Sequence, residues 1–376
     1  MAEPTQTLAN LRRAIGRLAR NPFHLRYASG QLALTASTDQ STVAIVSTDL
    51  TQDDNFWKNQ WVWLPTAEEE RRIVAFEAAA DRLIPEYPLS AAASSGDVIE
   101  LWSVWSPTQV HEAINKSIDQ AWRQYPDIVT DQTIVVEEDK SIYPTSGWSS
   151  SPWKLFQVWL EQNTTMTTGQ PTSATATTLV DSNRDFSTFD TDHFVSIYFG
   201  TGTGQLREVS TGDSAGSLTV ASWTTTPDTT SKYAVWDNGI QDVDWVRLID
   251  YRPDQPEWPD NLYLPAEPLW ATGLRMRLVY AAKPAILSSD AGTTVVPEQY
   301  ITYKALSILH DGLIGDNRAD RQMHASVAEY YDSLARAYLA EAPRRNPPGT
   351  IRTDGGGGVI SERQDNVGDP MGWTRG

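Results

Sequence analysis

The longest helical pattern in the chain runs from Val296 to Ala342, where apolar positions recur at 3.6-residue spacing. It predicts two amphipathic helices joined by a tight turn at 312–317. In the first, Ile301, Ala305, Leu306, Ile308, Leu309 and Leu313 form a broad apolar arc. In the second, Ala319, Met323, Val327, Tyr330, Tyr331, Leu334 and Tyr338 share one stripe, and Arg321, Glu329, Asp332 and Arg336 lie opposite. Pro297 stands where a first-turn proline belongs, and Gly315 and Asn317 suit the end of one helix and the cap of the next.

Two shorter helical patterns precede it. Over 5–19, Leu8, Leu11, Ile15 and Leu18 line one face, and Arg12, Arg13, Arg17 and Arg20 line the others, with Asn21–Pro22 as a stop. That arginine cluster suits a solvated face or an acidic partner. Ser106-Pro107-Thr108-Gln109 has the form of a capping box with proline at the first helical position. The helix that follows is expected to run to about Tyr125, with Val110, Ile114, Ile118, Ala121, Trp122 and Tyr125 on one stripe.

Elsewhere the pattern shortens to runs of four to nine alternating or β-branched residues separated by polar turns. Such runs fill 32–105 and resume after a Thr/Ser/Gly-rich connector at 164–178. The two stretches resemble each other. Residues 43–64 lie over 178–199, Arg72-Ile73-Val74 falls over Arg207-Glu208-Val209, and Trp102 over Trp236, which reads as an internal repeat of a small β module. Longer strands are expected in "TIVVEE", "WKLFQVWLE", "QDVDWVRLIDY", "NLYLP" and "GLRMRLVYAAKP".

The organisation predicted is α+β: a discontinuous, mainly helical core with a few strands, interrupted by two inserted β modules and followed by a flexible tail. The core comprises 1–30 (N-terminal helix), 105–164 (helix plus strands) and 238–342 (strands plus the helical hairpin). The modules are 31–104 and 165–237. The tail, 343–376, has four consecutive glycines, several prolines and little apolar content, so it cannot offset its own ordering entropy and is expected to serve as a docking segment.

Composition narrows the functional classes. At 376 residues the chain suffices for two or three compact units, and without cysteine it excludes disulfides and thiolate metal sites. No apolar run approaches the roughly 18 residues needed to span a bilayer, and the Arg-bearing N-terminal helix shows no export signal, so no membrane association is expected. The 15 tryptophans suit large buried area in thin β layers. Net charge is −18, unevenly spread: residues 27–342 hold 20 basic and 43 acidic side chains, a net of −23. Affinity for nucleic acid that ignores sequence comes from neutralising phosphates, which such a chain cannot do. Its acidity suits either solubility or a surface past which DNA slides without sticking.

No motif of catalysis emerges. The five histidines, His24, His111, His193, His310 and His324, form no metal-ligand pair of known spacing, although His310 and His324 fall on facing helices of the hairpin. "GTGTGQ" at 200–205 lacks the spacing of a dinucleotide loop and the Lys-Ser/Thr of a P-loop, and is expected to be a hairpin turn. Asp53-Asp54, Glu68-Glu69-Glu70, Asp190 and Asp192 read as solvated loop acids without calcium-loop spacing. Neither an enzyme nor a cofactor or metal protein is expected.

The segments "SPTQVHEAINKSIDQAWRQYPD", "TIVVEEDKSIYPTSG", "DVDWVRLI", "NLYLP", "GLRMRLVYAAKPAIL" and "VPEQYITYKALSILHDGLIGDNRADRQMHASVAEYYDSLARAYL" follow one another in an order that resembles the head-to-tail adaptor (neck, head-completion) proteins of tailed bacteriophages. The resemblance covers most of 105–165 and 238–342, and the Thr/Gly-rich stretch at 175–237 is similar to small β modules of phage virion proteins. It implies a structural virion protein at the head–tail junction, assembled in the host cytoplasm. It further implies a homo-oligomeric ring, typically of twelve subunits, beneath the portal, extending the DNA channel and receiving a downstream neck or tail protein. DNA would pass during genome ejection without specific binding. Candidate partner-binding residues are Arg344, Arg345, Arg352, Met371 and Trp373 in the tail and Arg321, Glu329, Asp332 and Arg336 on the last helix. The alternatives are another neck or tail connector, such as a gatekeeper, and a receptor- or glycan-binding tail protein using the β modules.

Overall fold

The computed structural model describes residues 6–19, 33–36, 40–50, 52–162, 166–237, 244–248, 250–264, 271–314 and 320–341. It overturns the expectation of a mainly helical core. The described residues are mostly β, with strands in several sheets that include two half-barrels, and 24 % helical. The physical reason is signal length. Four helices of 12 to 21 residues dominate a periodicity reading, whereas most of the strands are short or buried on both faces and show little alternation. No described helix is long and apolar enough to cross a membrane.

Contacts divide the chain into two compact units, one drawn from 1–126 and 284–345 and the other, in its described part, from 127–283. The first holds all four α-helices of the described residues: α1 (Leu8–Ala19), α2 (Pro107–Ala121), α3 (Glu298–Leu313) and α4 (Arg321–Glu341). Leu11 and Ile15 of α1, Ile114 of α2, and Ile301 and Leu306 of α3 are all but inaccessible and share one core. α2 starts as its sequence dictates. Ser106 Oγ accepts from Gln109 N at 3.2 Å, and Gln109 Oε1 accepts from Ser106 N at 3.0 Å, with Pro107 in the first turn. The expected helical hairpin forms as α3 and α4, while 315–319 of its turn, including Ala319, lie outside the described residues.

Each unit also carries one copy of the repeated module, and the two copies have the same strand order. In the first, six strands run Ala33–Thr35, Val98–Trp102, Trp61–Leu64, Glu69–Glu77, Arg82–Pro85, Ile45–Val46 across the sheet. In the second, the order is Thr167–Gly169, Lys232–Asp237, His193–Phe199, Leu206–Gly212, Ser217–Val220, Thr178–Val180, with Ser173–Ala174 added at the end. The register matches too. Trp61 stands opposite Trp102 and Arg72, as Phe194 stands opposite Trp236 and Glu208. Ile45 faces Leu83, as Leu179 faces Leu218. Part of the expected connector at 164–178 therefore belongs to the second sheet rather than linking to it.

Alternation then assigns each module two faces. One forms the module's own core: Val62, Ile73 and Leu101 in the first, Val195, Val209 and Val235 in the second. The other carries the tryptophan, and this face packs outside the module. Trp63 and Trp102 join the helical core of the first unit, and Trp236 packs with Leu274 in the second. The remainder of the second unit is a four-stranded antiparallel sheet, Asp244–Leu248, Pro152–Gln162, Arg275–Ala282, Asp127–Val135 in that order, and a three-stranded one built from Arg252–Pro253, Asn261–Tyr263 and Ile142–Pro144.

Candidate partner-binding surfaces

In the first unit the module is fastened to the helices by a buried charge cluster. Arg12 of α1, expected on a solvated face, is wholly inaccessible. Its guanidinium makes two bonds to Glu100 in strand Val98–Trp102, at 2.6 and 3.0 Å, and two to Asp290, at 2.5 and 2.8 Å. Arg13 adds a third bond to Glu100 at 3.0 Å. Asp290 N in turn donates to Glu68 at 3.0 Å. Arg12 Nη1 also donates to His111 Nε2 at 2.9 Å, which requires that nitrogen to be unprotonated. Burial, and then the charge of Arg12, hold His111 down at about 4, so it is neutral at physiological pH. The Trp63 ring packs edge-on against His111 and beneath Arg12, at 5.1 and 5.2 Å between centres.

The second unit uses the same chemistry with different ownership. Glu161, wholly buried in Pro152–Gln162, receives both Nε and Nη2 of Arg275 at 2.9 Å, and Trp236 Nε1 from the module at 3.0 Å. Arg275 also lies 5.0 Å from the centre of the Phe194 ring. Both clusters satisfy their charges with paired, multiple hydrogen bonds, the condition under which a buried ion pair is tolerated. Their chemistry is that of fasteners. Periodicity placed Arg12 and Arg13 on a polar face and left the acids unmarked, yet a signal existed: Glu100, Glu161 and Arg275 each interrupt an apolar strand run, in "VIELW", "VWLEQ" and "LRMRLVY".

The hairpin presents a different kind of surface. His324, Ala328 and Ala335 of α4 turn inward, and Tyr331 and Tyr338 pack at the margin of the core. Tyr330, expected on the apolar stripe, is 58 % exposed. The helix needs only a narrow inward stripe because α3 and small alanine side chains bring the backbones close. Of the predicted partner residues, Arg321 and Glu329 are exposed, and the Arg336 side chain is 81 % exposed. Asp332 is brought inward to Lys304 of α3 at 2.5 Å and also pairs with Arg336, one turn on. Arg344, Arg345, Arg352, Met371 and Trp373 lie outside the described residues.

His310 and His324 meet directly. Their Nδ1 atoms are 2.8 Å apart, so one donates and the other accepts, with Trp105 edge-on to His310 at 5.0 Å. Among the described residues no group of three or more His, Asp or Glu could hold a metal ion. "GTGTGQ" forms the expected hairpin tip between His193–Phe199 and Leu206–Gly212. Its three glycines take positive φ, and Gln205 is bound back to 202 and 225. Asp190 accepts from Asp192 N at 3.1 Å and contacts His193 at 3.1 Å, acting as a turn former. Comparison of the chain with protein-family models gives no match, and comparison with curated proteins gives none either.

Proposed function

We propose that the chain is a structural protein of a tailed-phage virion, a head-to-tail adaptor whose copies form a ring beneath the portal. The ring, of twelve subunits in the family the sequence resembles, would extend the DNA channel and receive the next neck or tail protein. The observation that carries this reading is the outer face of α4. Glu329, Tyr330 and Arg336 are displayed along a 21-residue helix that uses only three fully buried residues for its own unit. Charges of both signs around an exposed aromatic form the kind of surface that a neighbouring subunit covers. The net charge of −23 over residues 27–342 supports a conduit that repels DNA rather than binding it. The tail, with five arginines and Trp373, would order on the portal or the next neck protein.

The glycan-binding alternative needs module indoles open to solvent. Trp63, Trp102, Trp223 and Trp236 are instead buried and Trp57 and Trp61 half-buried, which argues against sugar recognition. The test is mass photometry and negative-stain imaging of the full chain, alone and with the portal. A closed multi-subunit ring supports the adaptor. A chain that remains monomeric in both conditions overturns it.

A further inference from the structure

The four-stranded sheet of the second unit carries a cationic and aromatic row that its own contacts leave incomplete. Trp159, on the strand Pro152–Gln162, stands opposite Arg247 on one neighbour and Arg277 on the other. In-register residues of adjacent strands share a face, so the three side chains form a line across three strands. Arg247 lies 6.0 Å from the centre of the Trp159 ring, and Arg277 lies 5.9 Å from that of Trp245. Gln157 Oε1 accepts from Trp159 Nε1 at 3.0 Å, which orients the indole.

One position away, Arg275 has Glu161. Among the described residues Arg247 and Arg277 have no carboxylate. Among the same described residues Arg277 Nε is buried without an acceptor. A buried donor without a partner is costly, and native proteins rarely leave one without a cause. Arg247 is exposed, and Trp159, Trp245 and Arg277 are half-buried, so the row is reachable from solvent. Its strand, Asp244–Leu248, is the edge of the sheet among the described strands, and Val246 on it is 40 % exposed.

We propose that the Arg247–Trp159–Arg277 row is the surface on which each subunit receives carboxylates of a second copy of this chain. Charge complementarity selects that occupant. With 48 acidic against 30 basic residues, another copy approaches as an anion, and the row offers guanidinium groups with no acid of their own. A guanidinium held over an indole keeps its edge free for a two-pronged carboxylate contact. Trp and Arg together are also the commonest anchors of protein interfaces. In a ring the contact is heterologous, so the row on one subunit meets a different surface on the next. This inference rests on the ring reading and locates one side of its subunit contact.

The experiment compares full-length wild type with R247Q/R277Q by mass photometry over a concentration series, with near-ultraviolet circular dichroism as the check on folding. The expected result is a folded double variant whose assembly requires at least tenfold higher concentration. R247Q alone, at an exposed position, should show a smaller shift in the same direction and serves if the double variant misfolds. R277K, which keeps charge but loses the fork, should also assemble less well. Variants that assemble like wild type overturn the docking row and leave the ring intact. A wild type that never assembles, alone or with the portal, overturns the ring reading and this contact together.

Discussion

Arg71 and Arg207 make the same two backbone hydrogen bonds in the two modules. Each donates from Nη1 to the carbonyl of the residue before it at 2.7 Å, and from Nε to a carbonyl just beyond the next strand of the sheet, Pro88 at 3.4 Å and Ser222 at 3.0 Å. Each also stands opposite a buried valine, Val62 or Val195. A side chain that bridges the same two strands through the same backbone bonds in two places marks a shared construction. It predicts that the modules respond alike to equivalent substitutions. Arg71→Ala and Arg207→Ala should each cost about 1 kcal/mol, the worth of a few hydrogen bonds at a partly exposed site. Urea melts of the two variants would check this; a large cost in one and none in the other would break the equivalence.

The module fasteners should be far more sensitive. Glu161→Gln removes the charge that Arg275 was buried against, and breaking one side of such a pair typically costs about 3–5 kcal/mol. Trp236→Ala removes the ring that plugs the second module and its bond to Glu161, for a similar loss of about 3–5 kcal/mol. Thermal melts followed by tryptophan fluorescence would show both. A shift of a degree or less in either would mean that the module is held elsewhere.

Acid should loosen the first unit through His111. Its folded value of about 4 lies below the ordinary 6.5, so between these limits the unfolded chain takes up a proton that the folded chain refuses. Stability is therefore full above pH 6.5 and falls as pH drops towards 4. After discounting for partial exposure, the loss is about 2 kcal/mol. Asp290 adds to it lower down: burial alone would raise its pKa, but hydrogen bonds and charge from Arg12 outweigh this and hold it below the usual carboxylate value. Melting temperatures at pH 7.5, 6, 5 and 4.5 should decline, and His111→Asn should flatten the curve between 6.5 and 4.5.

Gly216 tests the turn of the second module. Its φ is +81°, and a Cβ there would lie 2.1 Å from the Asp181 carbonyl oxygen. Gly216→Val adds strain to collision, and the second module should unfold or protrude, seen as new protease cleavage within 165–237. The same substitution at Gly96, also at positive φ but with nothing within 4 Å of its Cβ, should be milder.

The helices and the repeat were legible because their signals are local. The Ser106–Gln109 box, Pro107 and the hairpin stripe all act within a few residues of themselves. The repeat was visible because 43–64 and 178–199, like Trp102 and Trp236, keep nearly the same spacing, although in the sheet Val62 aligns with Val195 and not with Ile197, and Arg71 rather than Arg72 aligns with Arg207. The dominance of β structure was not legible. Arg275–Ala282 was itself expected as a strand, but it is buried along almost its whole length and lacks the alternation of a sheet with one solvated face, so the longer helical stripes set the reading of the core. The pairing of Arg12 with Glu100 and Asp290 was hidden for another reason. Those residues meet only when α1, the first module and the segment before α3 come together, and on α1 alone Arg12 looks like any arginine of a polar face.

Glu100 and Ala234 hold corresponding places in the two modules, opposite Trp63 and Ser196. The first completes Arg12; the second lies where a Cβ on Gly273 would come within 2.7 Å of its own. The duplicated pieces have thus become keyed parts. The first module grafted into the second socket would drive a carboxylate against Gly273 and beside Glu161. The second module in the first socket would strand Arg12 with half its partners. Two inserts of one design thus each match a different socket, and neither can stand in for the other.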